Sequence, residues 1–129
     1  MTRGAGLLTG ALAGVLAGAA CFSEHGPTGP AAMLTCERAG QPAGPDSAFV
    51  IVRGFAFEPA ELRVAPGTRV VWINCEAAGT PGHTTTAMDG TWDSPTLLPG
   101  ESFSVVAEAG NRIYHCRPHP FMGARLIVE

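Results

Sequence analysis

The sequence predicts an all-β fold, a two-sheet Greek-key sandwich of about seven to eight short strands. Three observations lead there. Apolar and β-branched runs of strand length recur between Pro-Gly and Gly-rich turn signals, as in Ala65-Pro66-Gly67-Thr68 and Pro99-Gly100. No segment beyond the N-terminal leader carries a helical period of useful length. The chain of 129 residues has room for one compact unit once a leader is removed.

The leader comes first. Arg3 supplies a short positive region, Gly4 to Ala20 is continuously apolar or small, and the run ends in Ala17-Gly18-Ala19-Ala20. This composition predicts a secretory signal peptide over residues 1–21, because its Gly and Ala content makes it weakly hydrophobic for a spanning helix. Cys21 directly after the small-residue run also raises a lipoprotein leader, in which that cysteine is acylated, although Gly18 stands where such leaders prefer Leu. Residues 22–47 are rich in Gly, Pro and Ala with little periodicity, the composition of a flexible tether. The domain proper is expected over residues 48–129, with a possible membrane attachment only through the leader or a lipid on Cys21.

Within that domain Phe49 to Phe57 reads as the first strand and Glu61 to Val64 as the next, by alternation. Arg69 to Asn74 follows, with Val70-Val71-Trp72-Ile73 at its centre. Further strands are expected at Thr84 to Met88, Ser102 to Ala107, Arg112 to Cys116 and Ala124 to Val128.

The most informative residues lie near the C-terminus. Cys116, His119 and Met122 form Cys-x-x-His-x-x-Met on one tight loop, punctuated by Pro118, Pro120 and Gly123. His83 lies upstream, after a Gly-Thr-Pro-Gly turn and before a Thr-rich run, where a distant strand end can present it to the loop. Two imidazoles, a thiolate and a thioether are the donor set of a single type 1 copper ion. Copper(I) favours soft sulfur and low coordination, copper(II) favours nitrogen, and a His2Cys plane with a weak axial Met serves both. Structural zinc is the nearest competitor, but it takes two or more cysteines in a closed site, and no Cys-x-x-Cys pair occurs. His115 alternates away from Cys116 along a strand, and His25, Met33 and Met88 lie outside the ligand loop, so none is expected as a donor.

The run Tyr114 to Met122, closing in Leu126-Ile127-Val128-Glu129, resembles the C-terminus of the cupredoxins and, within them, the amicyanins. Gly90 to Ser94 and Leu97 to Ser104 are also similar to small bacterial cupredoxins, so the resemblance spans Ala48 to Glu129. It implies a cupredoxin-like sandwich holding one copper through His83, Cys116, His119 and Met122, and a role as an electron carrier rather than an enzyme. The interval between His83 and Cys116 is shorter than in amicyanin. The family also implies that the loop imidazole, His119, reaches the surface through an apolar patch, here Pro118, Pro120, Phe121 and Met122, where redox partner proteins dock.

The remaining expectations follow from composition. The protein is expected to be a monomer, periplasmic or on the outer face of the cell membrane. In an oxidising compartment Cys36 and Cys75 either pair or remain as thiols, and with Cys116 reserved for metal the pairing is the favoured reading. The net charge is −3, and all eight basic residues are scattered arginines, which argues against nucleic acid as a partner. A ligated thiolate is not free to attack, and four occupied donor positions leave no open site for a substrate. A copper-delivery protein remains the alternative to an electron carrier. Pro118 has no backbone N–H to donate to the Cys116 sulfur.

Overall fold

The computed structural model describes Cys36, residues 42–44 and residues 46–129. The expected signal peptide, Cys21, His25, Met33 and most of the expected tether lie outside the described residues. Among those described there is no helix, and nine strands form two sheets: β1 (Pro42–Gly44), β2 (Ser47–Arg53), β3 (Ala56–Glu58), β4 (Glu61–Val64), β5 (Arg69–Asn74), β6 (Thr86–Ala87), β7 (Ser102–Val106), β8 (Gly110–His115) and β9 (Gly123–Val128).

One sheet runs β1-β2-β5-β7 with β3 paired on β2, and the other runs β4-β9-β8-β6. Each contains one parallel pair, β2 with β5 and β4 with β9, among antiparallel ones. Parallel neighbours cannot be joined by a tight turn, so the chain must cross between the sheets, and these crossings wrap the two layers around one core. The all-β sandwich expected from the sequence is the observed architecture.

Alternating burial shows which face of each strand meets the other sheet. In β2 Ala48 and Val50 turn inward, and in β5 Val70 and Trp72 do the same. Trp72 and Tyr114 are fully buried at the centre, their rings 5.5 Å apart and nearly perpendicular, with Trp92 5.4 Å from Trp72 and Phe57 4.9 Å from Tyr114. The edge-to-face pairs Trp72–Tyr114 and Phe57–Tyr114 each contribute about 0.5–1.5 kcal/mol beyond the area they bury. They form a stiff floor two residues before Cys116.

The expected strand over Phe49 to Phe57 is divided. Gly54 and Phe55 have φ of +59° and +57°, and Arg53 pairs with Ala56 across them, so they are the two central residues of a tight hairpin turn between β2 and β3. Positive φ at two successive positions matches the right-handed twist of the flanking strands, and Gly54 adopts it freely whereas Phe55 does so at a cost. The expected strand over Thr84 to Met88 shrinks to β6, because Thr84 and Thr85 are taken up by side-chain contacts and His83 and Thr86 make isolated bridges to Leu97 and Asp93. β4 and β5 have the expected bounds. Residues 42–44, in the segment read as tether, pair with β2.

Cys36 and Cys75 form a disulfide across 39 residues, with Cα atoms 5.7 Å apart. It fastens the N-terminal segment to the residue that follows β5. Asn74, fully buried at the end of β5, holds the neighbouring loop: its side-chain amide donates to Leu97 O at 2.8 Å, and its backbone carbonyl accepts from Gly100 N–H at 2.7 Å. This fixes the strip 97–100, against which His83 is laid.

Candidate metal centre

Two chain segments make the centre. The first carries His83, whose backbone exchanges both hydrogen bonds with Leu97, at 3.0 and 2.7 Å. Gly82 permits that approach: a Cβ there would strike Thr96 Cγ2 and stand 3.1 Å from Leu97 O. The second is the loop after β8. It closes on itself through Cys116 N–H to Met122 O at 3.0 Å and Met122 N–H to His119 O at 2.8 Å. The loop therefore presents its side chains from a nearly fixed backbone, in the seven residues between β8 and β9.

The structure brings His83, Cys116 and His119 together, with their ligating atoms all within 4.8 Å of one another. His83 Nδ1 lies 3.7 Å and His119 Nδ1 3.6 Å from Cys116 Sγ. A single ion bonded at about 2.0 Å to nitrogen and about 2.3 Å to sulfur, as zinc is, would hold such donors roughly 3–4 Å apart. The observed separations are those of donors facing a common ion. Met122 is buried on the same loop and belongs with Cys116 to the hydrophobic core. The thiolate and two imidazoles that converge here fit one type 1 copper ion.

His83 and Cys116 are both wholly removed from solvent. Burial pushes the His83 imidazolium below its usual range, and repulsion from His119 adds to this, against an opposing pull from Glu76. Near neutral pH His83 is therefore a neutral imidazole with a lone pair free for metal. Its Nε2 has no formed hydrogen bond but faces Glu76 Oε1 at 3.4 Å.

The sequence reading missed three neighbours. The Thr84 backbone N–H donates to Cys116 Sγ at 3.3 Å, and the Thr84 hydroxyl accepts the Arg117 N–H at 2.9 Å, so one residue ties the two ligand segments. Its position directly after His83 was the available signal. Glu76 and Phe55 carry no motif, and only the fold brings them together, Phe55 on the β2–β3 turn and Glu76 just after β5. Phe55 sets its ring edge-on to His83 at 5.2 Å and to His119 at 5.0 Å.

Some residues stand apart. His115 pairs with Thr86 across the sheet and is not in the donor cluster, and Met88 is largely exposed. Phe121, 76% exposed, is surface rather than core, with Pro118 and Pro120 exposed beside it. Met122 is buried and forms no part of that exposed apolar patch, because the Cys116–Met122 hydrogen bond turns it inward.

A rigid β-sandwich gathering His2Cys donors at one end defines a small metal-centred electron-transfer domain. No protein-family model matches the chain. Amicyanin of Paracoccus denitrificans is 35% identical over 88 residues, covering 65% of this chain and 67% of that protein. Amicyanin-alpha of Methylorubrum extorquens is 33% identical over 91 residues, covering 68% and 75%. Among solved structures, the Cu(I) form of an amicyanin mutant matches with a TM-score of 0.59 and 32% identity over 70% of this chain and 90% of that one. A purple cupredoxin from Nitrosopumilus maritimus matches with a TM-score of 0.58 and 25% identity over 64% and 99%. The chain belongs to the amicyanin family of cupredoxins, small blue-copper proteins that carry electrons and are not enzymes.

Proposed function

We propose that this chain is an exported one-electron carrier that holds type 1 copper through His83, Cys116, His119 and Met122 and passes electrons between redox partner proteins at the His119 edge. The observation that carries the reading is the pair of Nδ1-to-Sγ separations, 3.7 and 3.6 Å, around a buried thiol. Bound copper supplies a Cu(II)/Cu(I) couple. The protein keeps the donors in place through both states. The backbone bridge at Leu97 holds His83, the self-closed loop holds Cys116 and His119, and Thr84 joins the two segments. Little nuclear movement between oxidation states means a low barrier to electron exchange.

His119 is only partly buried, and Pro118, Pro120 and Phe121 are exposed around it. A small apolar surface suits partners that dock briefly and part quickly. Export is supported by the composition of residues 1–21 and by the Cys36–Cys75 disulfide, which belongs in an oxidising compartment. On this reading residues 1–21 are a leader, 22–47 lead into the domain, and 48–129 are a monomeric copper domain in the periplasm or at the outer face of the membrane, attached there only if Cys21 is lipidated or the leader retained.

The test mixes Cu(I)- and Cu(II)-loaded protein and measures electron self-exchange by NMR line broadening, alongside copper loss to an added chelator. A carrier exchanges electrons while keeping its copper in both states. Rapid copper loss in one state without electron exchange identifies a delivery protein instead. Mass spectrometry of the exported protein reads the mature N-terminus directly.

A further inference from the structure

The hairpin turn at Gly54–Phe55 is a strained element at the metal centre. Phe55 holds φ of +57°, a region that a bulky side chain rarely occupies, and it is 37% exposed. Such a conformation persists only where its surroundings over-determine it. Here two contacts do so. The Phe55 N–H donates to Glu76 Oε1 at 2.8 Å, and the Phe55 ring stands edge-on to both imidazoles, at interplanar angles of 88° and 90°.

The same carboxylate oxygen faces the ring nitrogen of His83 that points away from the sulfur. His83 Nε2 is buried and otherwise unpartnered, and Glu76 Oε1 lies 3.4 Å from it. That is longer than a formed N–H···O bond of roughly 2.7–3.2 Å, but a buried imidazole N–H needs an acceptor, and this one stands nearest. Glu76 is itself held: its N–H donates to Asn74 Oδ1 at 3.0 Å, its side chain is only 10% exposed, and Cys75 before it is fixed by the disulfide.

We propose that Glu76 is a positioning residue for the copper site, its carboxylate fixing His83 in the Nε2-protonated form and anchoring the Gly54–Phe55 turn across both imidazoles. A ligand imidazole is generally oriented by a hydrogen bond from its other ring nitrogen, and a carboxylate in that role also raises the ligand's basicity. With Nε2 carrying the proton, Nδ1 offers its lone pair toward Cys116 Sγ. The negative charge of Glu76 favours Cu(II) over Cu(I) and so lowers the reduction potential. The effect of Glu76 on copper rests on the proposed ligand set, whereas its effect on His83 and Phe55 belongs to the protein alone.

The experiment separates the two. In metal-free wild-type protein, long-range nitrogen–proton NMR correlations read the His83 tautomer, and amide exchange reads the Phe55 N–H. The proton is expected on Nε2, and Glu76→Ala is expected to speed Phe55 exchange at least tenfold while distant core amides stay protected. A proton on Nδ1, or Phe55 exchange unchanged in Glu76→Ala, overturns the proposal whatever the metal does. In copper-loaded protein, Glu76→Gln keeps an acceptor but removes the charge. At the potential where wild type is half reduced, its Cu(I)/Cu(II) ratio is expected to rise about tenfold, about 59 mV, with Glu76→Asp close to wild type. An unmoved potential in Glu76→Gln overturns the electrostatic role, and a wild-type protein without a blue site overturns the ligand assignment instead.

Discussion

Thr84 touches Cys116 from one side only: its backbone N–H donates to the sulfur at 3.3 Å, from the residue that follows the opposite ligand, His83. A hydrogen bond to a thiolate withdraws charge from it and weakens its hold on copper(II). Pro118, two residues beyond Cys116, has no N–H to add a second such bond. Pro118→Ala, which restores a backbone N–H two residues after the thiolate, is therefore expected to raise the reduction potential. Voltammetry on the copper-loaded protein measures it, and an unchanged or lowered potential counts against the argument.

The Thr84 hydroxyl does a separate job. It accepts the Arg117 N–H at 2.9 Å and so ties the ligand loop to the His83 segment. Thr84→Val keeps the shape and the backbone donor to sulfur but leaves that N–H without its acceptor, a loss of about 1 kcal/mol. Thr84→Ser should recover most of it. Denaturant midpoints of the metal-free proteins compare the three.

Gly82→Ala tests how tightly His83 is placed. The added methyl meets Thr96 and Leu97 with no space to receive it, so either the strip 96–98 or His83 must shift. Overpacking of this kind costs about 1–3 kcal/mol. Because the shift falls next to a ligand, the intensity of the visible copper band should fall along with the melting temperature. A variant that is less stable but spectroscopically identical would show that the strip yields and His83 does not.

The sign of the acid response follows from His83. Its folded pKa is lowered, by burial and then by His119, so as pH falls below the ordinary histidine value of about 6.5 the unfolded chain binds a proton that the folded chain resists. Metal-free protein should lose stability as pH falls below about 6.5, and gain nothing from this group above it. In His83→Gln the slope should flatten, as read from urea midpoints across pH.

Much of this was legible in the sequence, and the reason differs between parts. β4 alternates and β5 is a short apolar, β-branched run, each bounded by turn residues, so their bounds followed directly from composition. The Cys116–His119–Met122 spacing is a local signal, because all three residues lie on one loop. The turn at Gly54–Phe55 was hidden inside an apolar run, where an aromatic residue at positive φ is not an expected turn former; Gly54 within the strand was the only hint. Glu76 was unreadable for another reason. Its role depends on Phe55, 21 residues upstream, and on a loop longer than any spacing rule covers. Thr84 to Met88 looked like strand because three threonines favour one, yet those residues spend their hydroxyls and amides on Cys116, Ser94, Trp92 and Arg117.

The central claim is that the sulfur of Cys116 and two imidazoles share one copper ion. Adding copper(II) stepwise to the purified protein, with optical and electron paramagnetic resonance spectra recorded at each step, tests it most directly. One equivalent should produce an intense visible thiolate-to-copper(II) band that then saturates, and Cys116→Ser should bind copper without it. A wild-type protein that takes up copper with no such band, or one whose band survives Cys116→Ser, contradicts the assignment.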